Sequence, residues 1–501
     1  MLQTRPIEAA GENGGNSSAA TPAVRRPAKP TPVLAKAAAF IPKMDKWTIL
    51  AAFLLLGYGF GGRTFAYVGI PPAKIFIGEV ALACFIVFHP RAILGRWVDA
   101  LTKSVPLSTL AWVLLLFIFY GLTEVVRGVL LGYPPVTAVE NFVFNVYPLY
   151  LFLGIWAGTR HPELLLKLIR IMAWGSAIYG PLYLLFLHNI QITLPGSDGV
   201  PLFSQAGGGS FTILSLLCLE RKPSRYWLPI SVSAFMLLAT QVRAEWLGFT
   251  LALLVWGILG RKMDRVFLIG GLVVALLAVG WVADVKLPST AERGGAVSSR
   301  EIVARGVAAV SPEAAEEYTS NRNAAFYAGT ITWRTKWWHA IWDSVHEDVP
   351  DTLFGHGYGY PLKGLVSYLK GMDIRTPHSV FYYALGYSGW IGVALFFGFQ
   401  SVLGWLLWRA YKFTRQPIGL VFWTLTLSSA FFGNFFETPA GAISFYLFVG
   451  IMIVPGLRRL PVMPQRFEIR KSPRQRAAQR LSAPMRSWAN QSQESLVSRS
   501  S

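Results

Sequence analysis

Cysteine is nearly absent from this 501-residue chain, and charge is scarce. The two cysteines, Cys84 and Cys218, each sit inside an apolar run. Neither a disulfide nor a Cys-ligated metal site is expected there, and a small hydrophobic role is the simpler reading. Charged residues make up 14% of the chain and apolar residues 53%, against about 25% charged in soluble domains. Walker and Rossmann glycine motifs are missing, so any driving energy must come from a substrate or a gradient. No His/Cys/Asp/Glu cluster has metal-ligand spacing, and no internal repeat of the transporter kind is visible. An integral membrane protein is what these absences leave.

The apolar residues fall into runs of the length that crosses a hydrocarbon core of about 30 Å. Twelve spans are expected, at 47–62, 73–88, 107–123, 142–158, 165–187, 200–219, 226–241, 244–259, 266–283, 380–408, 418–436 and 440–455. The fold class is therefore all-α, a polytopic transmembrane bundle with one large external loop between spans 9 and 10. The formal charge of +20 is a topology signal rather than a nucleic-acid footprint. With the N-terminus inside, every inner connection carries Lys or Arg, such as Arg221, Lys222 and Arg225, or Arg261, Lys262 and Arg265. The short outer connections hold Arg63, Lys74, Arg127 and Arg243 alone. That asymmetry is the positive-inside bias. Residues 1–46 and 457–501 read as basic cytoplasmic tails, 47–283 as spans 1–9, and 378–456 as spans 10–12. The first outer connection, 61–74, has no carboxylate, which speaks against metal-dependent lipid-linked glycosyltransferases, whose first outer loop supplies acidic ligands.

Residues 284–377 are the large loop, placed outside by the same count. A loop this long in a compact protein is functional or disordered, and its Trp, Tyr and Arg content argues for a folded cap. Residues 289–325 read as helix and coil rich in Ala and Glu. From Arg334 the sequence is amphipathic at helical spacing, with Trp337, Trp338, Ile341, Trp342 and Val345 on one face. Two placements suit that face, the outer headgroup layer or a core within the loop. His339 and His346 fall on the surface of the same helix. Leu353-Phe-Gly-His-Gly-Tyr-Gly is a turn that brings backbone close to a neighbour or a ligand.

Six residues are candidates for chemistry. Arg243 opens a span on the outer side, where an ionisable residue is costly and often functional, and its fork of donors suits phosphate oxygens. A snorkelling arginine, or one paired with Glu245, is the bland reading. His378 stands where the loop re-enters the membrane, with an ordinary pKa of about 6.5 that suits general base work. Arg334, His356 and Arg127 are candidate substrate contacts. Arg127 can instead pair locally with Glu124. Gln205 heads Gln205-Ala-Gly-Gly-Gly-Ser, where a kink or close backbone approach is expected.

Four motifs taken in order resemble the O-antigen ligase/polymerase superfamily of bacterial membrane glycosyltransferases. They are Val242-Arg-Ala-Glu-Trp-Leu; Arg334 with Trp337, Trp338 and Ala340; Leu353-Phe-Gly-His-Gly-Tyr-Gly; and His378-Ser with Tyr383-Ala-Leu-Gly-Tyr-Ser-Gly-Trp-Ile-Gly. Ser379 stands where the family often has Asn, and Glu245 adds an anion beside the arginine. The resemblance implies a glycan donor on polyprenyl diphosphate and an acceptor that is a glycan or a lipid A core. It implies no cofactor and no metal, with Arg243 as diphosphate clamp, Arg334 assisting and His378 as base. Its setting would be the inner membrane, with the site facing the periplasm. Polymerase and ligase stay open, and the alternative of another class is a polysaccharide exporter, flippase or other secondary transporter.

Overall fold

The computed structural model describes residues 44–457, apart from 71–74, 96–104, 188–189, 193–199, 202–208, 287–296, 309–310 and 370–375. The described helices belong to one unit that begins at Asp45. Each of the twelve expected ranges holds a helix. These are α1 (Lys46–Ala66), α2 (Ile77–Phe88), α3 (Val105–Leu130), α4 (Pro135–Val146) continuing into α5 (Tyr150–Arg160), α6 (Leu164–Leu185), α7 (Gly209–Leu219), α8 (Trp227–Ala239), α9 (Arg243–Gly260) and α10 (Met263–Val282) before the loop. After it come α15 (Val380–Thr414), α16 (Ile418–Ala430) and α17 (Pro439–Leu457). Among the described residues the strands are two short antiparallel ribbons, Gly69–Ile70 with Ile75–Phe76 and Gln191–Ile192 with Val200–Pro201.

Seven of the helices are long and apolar enough to cross a membrane. α10 makes the physical case most simply. Its Phe267 is 72% exposed and its Val282 88% exposed, so the apolar residues have little protein to cover them. A helix that is hydrophobic all round and uncovered belongs in lipid. α17 is the opposite case, with Phe445, Val449 and Ile453 fully buried. It meets α5 at Gly154 and Gly450, where a side chain on either glycine would run into the other helix's backbone. Small residues that let two backbones touch are the usual seam between membrane helices.

The loop is folded. α11 (Ser299–Val307) is capped by Ser298, whose side chain accepts from Glu301 N, and α12 (Pro312–Ala315) is capped by Ser311. Ala304, Ala308 and Ala315 form their small core. α13 (Asn321–Val345) and α14 (Val349–Phe354) follow. Trp337, Ile341 and Val345 are fully buried, and Trp337 Nε1 donates to Leu362 O at 2.9 Å. The apolar face of α13 therefore packs within the protein, and the headgroup placement does not hold for it. Trp342 alone of that set is left 39% exposed.

The glycine turn docks this cap on the bundle. His356 N and Gly357 N donate to Gly386 O and Tyr387 O, both at 3.0 Å. Opposite them α15 kinks at Gly389, with φ 58°, and Gly355 has φ 66°. A Cβ on either residue would meet the other's strand of backbone. Both the left-handed conformation and the close approach call for glycine here. The neighbour this turn approaches is thus the protein's own helix.

Candidate active site

Arg243 is the first residue of α9, set off from α8 by Gln241 in a left-handed conformation, φ 55°. Its Nη1 donates to Arg305 O at 3.1 Å. That carbonyl lies in the last turn of α11, where unsatisfied C=O groups carry partial negative charge and attract a cation. The Arg305 side chain is itself buried, 6% exposed. Glu245 accepts from Ser210 Oγ at 2.9 Å. Ser429 Oγ, at the end of α16, donates to Ala244 O at 3.4 Å. The arginine is fixed between a loop helix and the end of α16.

His378 has φ 54°, a conformation uncommon for a residue with a side chain, though histidine is among those that enter it more often. Such strain concentrates at functional sites. The surroundings enforce it. Pro377 O accepts from Trp338 Nε1 at 2.7 Å, and Trp338 stacks on Tyr382 at 5.1 Å. The Trp333 ring stands edge-on to His378 at 5.5 Å. Beside Trp333, Arg334 Nη1 donates to Phe432 O at 3.1 Å. Phe432 is three residues beyond Ser429, so the Arg334 side chain and the Ala244 backbone are held by adjoining turns at one end of α16. His378 thus stands against the residue beside Arg334, and Arg334 is bonded to the turn that adjoins the one holding the start of α9.

Two polar groups of this neighbourhood were not singled out from the sequence. Thr376 Oγ1 is buried without a hydrogen-bond partner, and the Glu437 carboxylate is buried against the backbone of Phe436 and of Glu437 itself. Glu437 lies in the α16–α17 connection, within electrostatic reach of Tyr383. Burial pushes its carboxyl up to about 8. The signal in the sequence was a lone acid in Phe431-Phe-Gly-Asn-Phe-Phe-Glu-Thr-Pro, and it is easily passed over among aromatics. A carboxyl whose folded pKa lies above its unfolded value of about 4.3 binds more protons when folded. Its contribution to stability is whole below that unfolded value and is lost as pH rises to about 8. The melting temperature should fall across that window, and Glu437→Gln should flatten the fall; thermal unfolding in detergent at pH 5, 7 and 9 is the check.

Arg127 and His356 belong to a different cluster. Arg127 pairs with Glu124 at 3.1 Å and with Asp351 at 3.2 Å, and donates to Phe354 O at 2.9 Å and Gly355 O at 2.5 Å. His356 Nδ1 meets Asp351 Oδ2 at 2.9 Å and its Nε2 meets Ser344 Oγ at 2.7 Å, with Tyr360 stacked on the ring at 4.3 Å. Asp351, His356 and Ser344 have the connectivity of a nucleophilic triad. Ser344, however, is only 8% exposed, and the N–H groups of His356 and Gly357 already serve α15. The arrangement is a brace that holds the glycine turn to α3. Ser344 is ten residues from Arg334 on α13, about 15 Å along the helix at 1.5 Å per residue, so brace and histidine site are apart. His339 and His346 are exposed, and Gln205 lies outside the described residues. Among the described residues, no group of three or more His, Cys, Asp or Glu side chains is placed to hold a metal ion.

No curated protein matches the chain. Residues 228–397 match the model of the O-antigen ligase family. The matched segment contains Arg243, Arg305, Arg334, His356 and His378, and ends before Glu437. Over that segment the chain is similar to the O-antigen ligase family.

Proposed function

We propose that the protein transfers a glycan from polyprenyl diphosphate to an acceptor hydroxyl at the outer face of the inner membrane, as a polymerase or ligase of surface polysaccharide. The observation that carries this reading is that Arg334 and the backbone just after Arg243 are held by adjoining turns at the end of α16, with His378 against Trp333 beside Arg334. In the reaction, the bond between the sugar's anomeric carbon and the phosphate oxygen breaks, and the diphosphate leaves with the electron pair. The acceptor oxygen forms the new bond to that carbon and gives its proton to His378. The guanidinium of Arg243 stabilises charge developing on the diphosphate, with Arg334 assisting, which is the electrostatic term that dominates many such steps. No metal or cofactor is needed in this scheme. Arg127 and His356 serve it by holding the cap in place.

Twelve crossings, with both tails cytoplasmic and 284–377 periplasmic, complete the reading. α15 supports it: the residues from Trp390 to Thr414, after its kink at Gly389, rise about 37 Å, more than a hydrocarbon core of about 30 Å. Arg409 and Lys412 near its C-terminus suit the inner surface, so the surplus turns nearest His378 stand at the outer one. Single cysteines at Glu317, exposed on the loop, and at Ser487 test the topology with an impermeant thiol reagent. In cells with a permeabilised outer envelope, Glu317→Cys should label and Ser487→Cys should not. Labelling in the reverse pattern contradicts the proposed topology.

A further inference from the structure

We infer that α14 and the end of α13 form a foot that rests in the headgroup layer of the outer leaflet, on zwitterionic phospholipid. That placement depends on α15 crossing the membrane as proposed above, and on nothing in the glycan chemistry. The height of the outer surface is marked on α15 itself. Beyond its kink at Gly389, Trp390 is exposed at one end, and Trp405 and Trp408 at the other. Arg409 lies over Trp405 at 5.2 Å and Lys412 over Trp408 at 5.4 Å. Trp390 and Trp408 are eighteen residues apart, about 27 Å of helix, close to a hydrocarbon core of about 30 Å. Exposed tryptophans at that separation mark the two interfaces of a spanning helix, and Trp390 stands at the outer one.

α14 is fixed to that level at both of its ends. Ahead of it, Trp390 Nε1 donates to His346 Nε2 at 3.3 Å, and Trp342 stands edge-on to Trp390 at 6.1 Å. At its far end the Leu353 carbonyl abuts Gly389, where a Cβ would strike it. A segment tied at both ends to successive residues of α15 lies along the surface and does not stand up from it. The large side chains it leaves uncovered are Trp342, Val349, Leu353 and Phe354, with Val349 71% exposed. Such a group of apolar side chains is costly to leave in water, and it suits the level where tryptophan and amphipathic segments meet headgroups. Asp343, Glu347 and Asp348 stand exposed among them, and like charge repels anionic headgroups, which is why the lipid is zwitterionic. α14 leads directly into the glycine turn, and α13 carries Trp333 against His378, so the foot sets the height of that histidine above the bilayer.

The test is nitroxide accessibility in the full-length protein carrying Cys84→Ala and Cys218→Ala, in bilayers of phosphatidylcholine. Single cysteines Val349→Cys, Glu317→Cys and Ser401→Cys take the label, and its collisions with oxygen and with a neutral, water-soluble nickel chelate are measured. Glu317 is exposed on the loop, and Ser401 is exposed on α15 between its two tryptophan levels. The Val349 label should meet nickel several-fold less often than the Glu317 label and oxygen more often, a shift toward the Ser401 label. That shielding should weaken when half of the lipid is phosphatidylglycerol; shielding that deepens instead overturns the zwitterionic assignment. Equal nickel access at Val349 and Glu317, with Ser401 shielded, overturns the foot and leaves the crossing of α15 standing. Low access to both oxygen and nickel at Val349 assigns it to a protein contact and also overturns the foot. If the Ser401 label is open to nickel, the crossing of α15 itself falls.

Discussion

His378→Asn reaches normal membrane levels, binds lipid-linked donor and transfers glycan about 10²–10⁴-fold more slowly than wild type, the usual cost of losing a general base. Asparagine is the informative substitute because it enters the left-handed conformation readily, and His378 has φ 54°. It keeps the backbone and removes the base. His378→Ala should behave alike, with a small added loss of stability from the strained position. A base must be neutral before it takes a proton, so the wild-type rate should fall on the acid side, and that limb should vanish from the residual rate of the variant. His356→Ala is the contrasting case. It removes two buried hydrogen bonds, to Asp351 and Ser344, each worth about 1–3 kcal/mol when one partner is left unsatisfied. Its loss should appear in the melting temperature and in cleavage of the loop by protease, with the turnover of the folded fraction kept. Rapid transfer by His378→Asn, with a slow but fully stable His356→Ala, would move the base to the glycine turn.

Arg243→Ala has the next largest effect. Removing one preorganised donor to a developing anion costs roughly 10²–10³ in rate, and Arg243 adds full charge to its donors. The loss should fall on kcat/KM for the lipid-linked donor, and the KM for acceptor should stay near wild type. Arg243 also caps α11 through Arg305 O, so Arg243→Gln, which keeps a donor, separates the two roles. If the cap were its whole function, Arg243→Gln would transfer at nearly the wild-type rate. The proposed clamp requires both variants to be slow.

The helices of the bundle were legible because apolar run length is a direct physical requirement of a membrane span. Each expected range holds a helix, and seven of the described helices are long and apolar enough to cross a membrane. The amphipathic pattern after Arg334 gave the helix but not its destination, because a tryptophan-rich face suits a protein core and a headgroup layer equally well. Burial of Trp337 settles that. Arg243, Arg334 and His378 could be read singly, at a span opening, in a helix and at a loop–membrane junction. What holds their surroundings could not, since the start of α9 and Arg334 are tied to Ser429 and Phe432, which are ordinary residues in an apolar stretch. Arg305 sits in a segment that reads as Ala- and Glu-rich helix and coil. The brace of Arg127 joins positions more than two hundred residues apart, beyond any local pattern.

Reconstituted transfer tests the central claim most directly. The purified full chain in proteoliposomes receives labelled glycan on polyprenyl diphosphate together with an acceptor glycan or lipid A core, and both products are measured. The account predicts polyprenyl diphosphate released in equal amount to glycan transferred, with both lost together in Arg243→Ala and His378→Asn. Movement of the intact lipid-linked glycan across the bilayer, with no cleavage of the sugar–phosphate bond, would contradict it and make the protein a transporter.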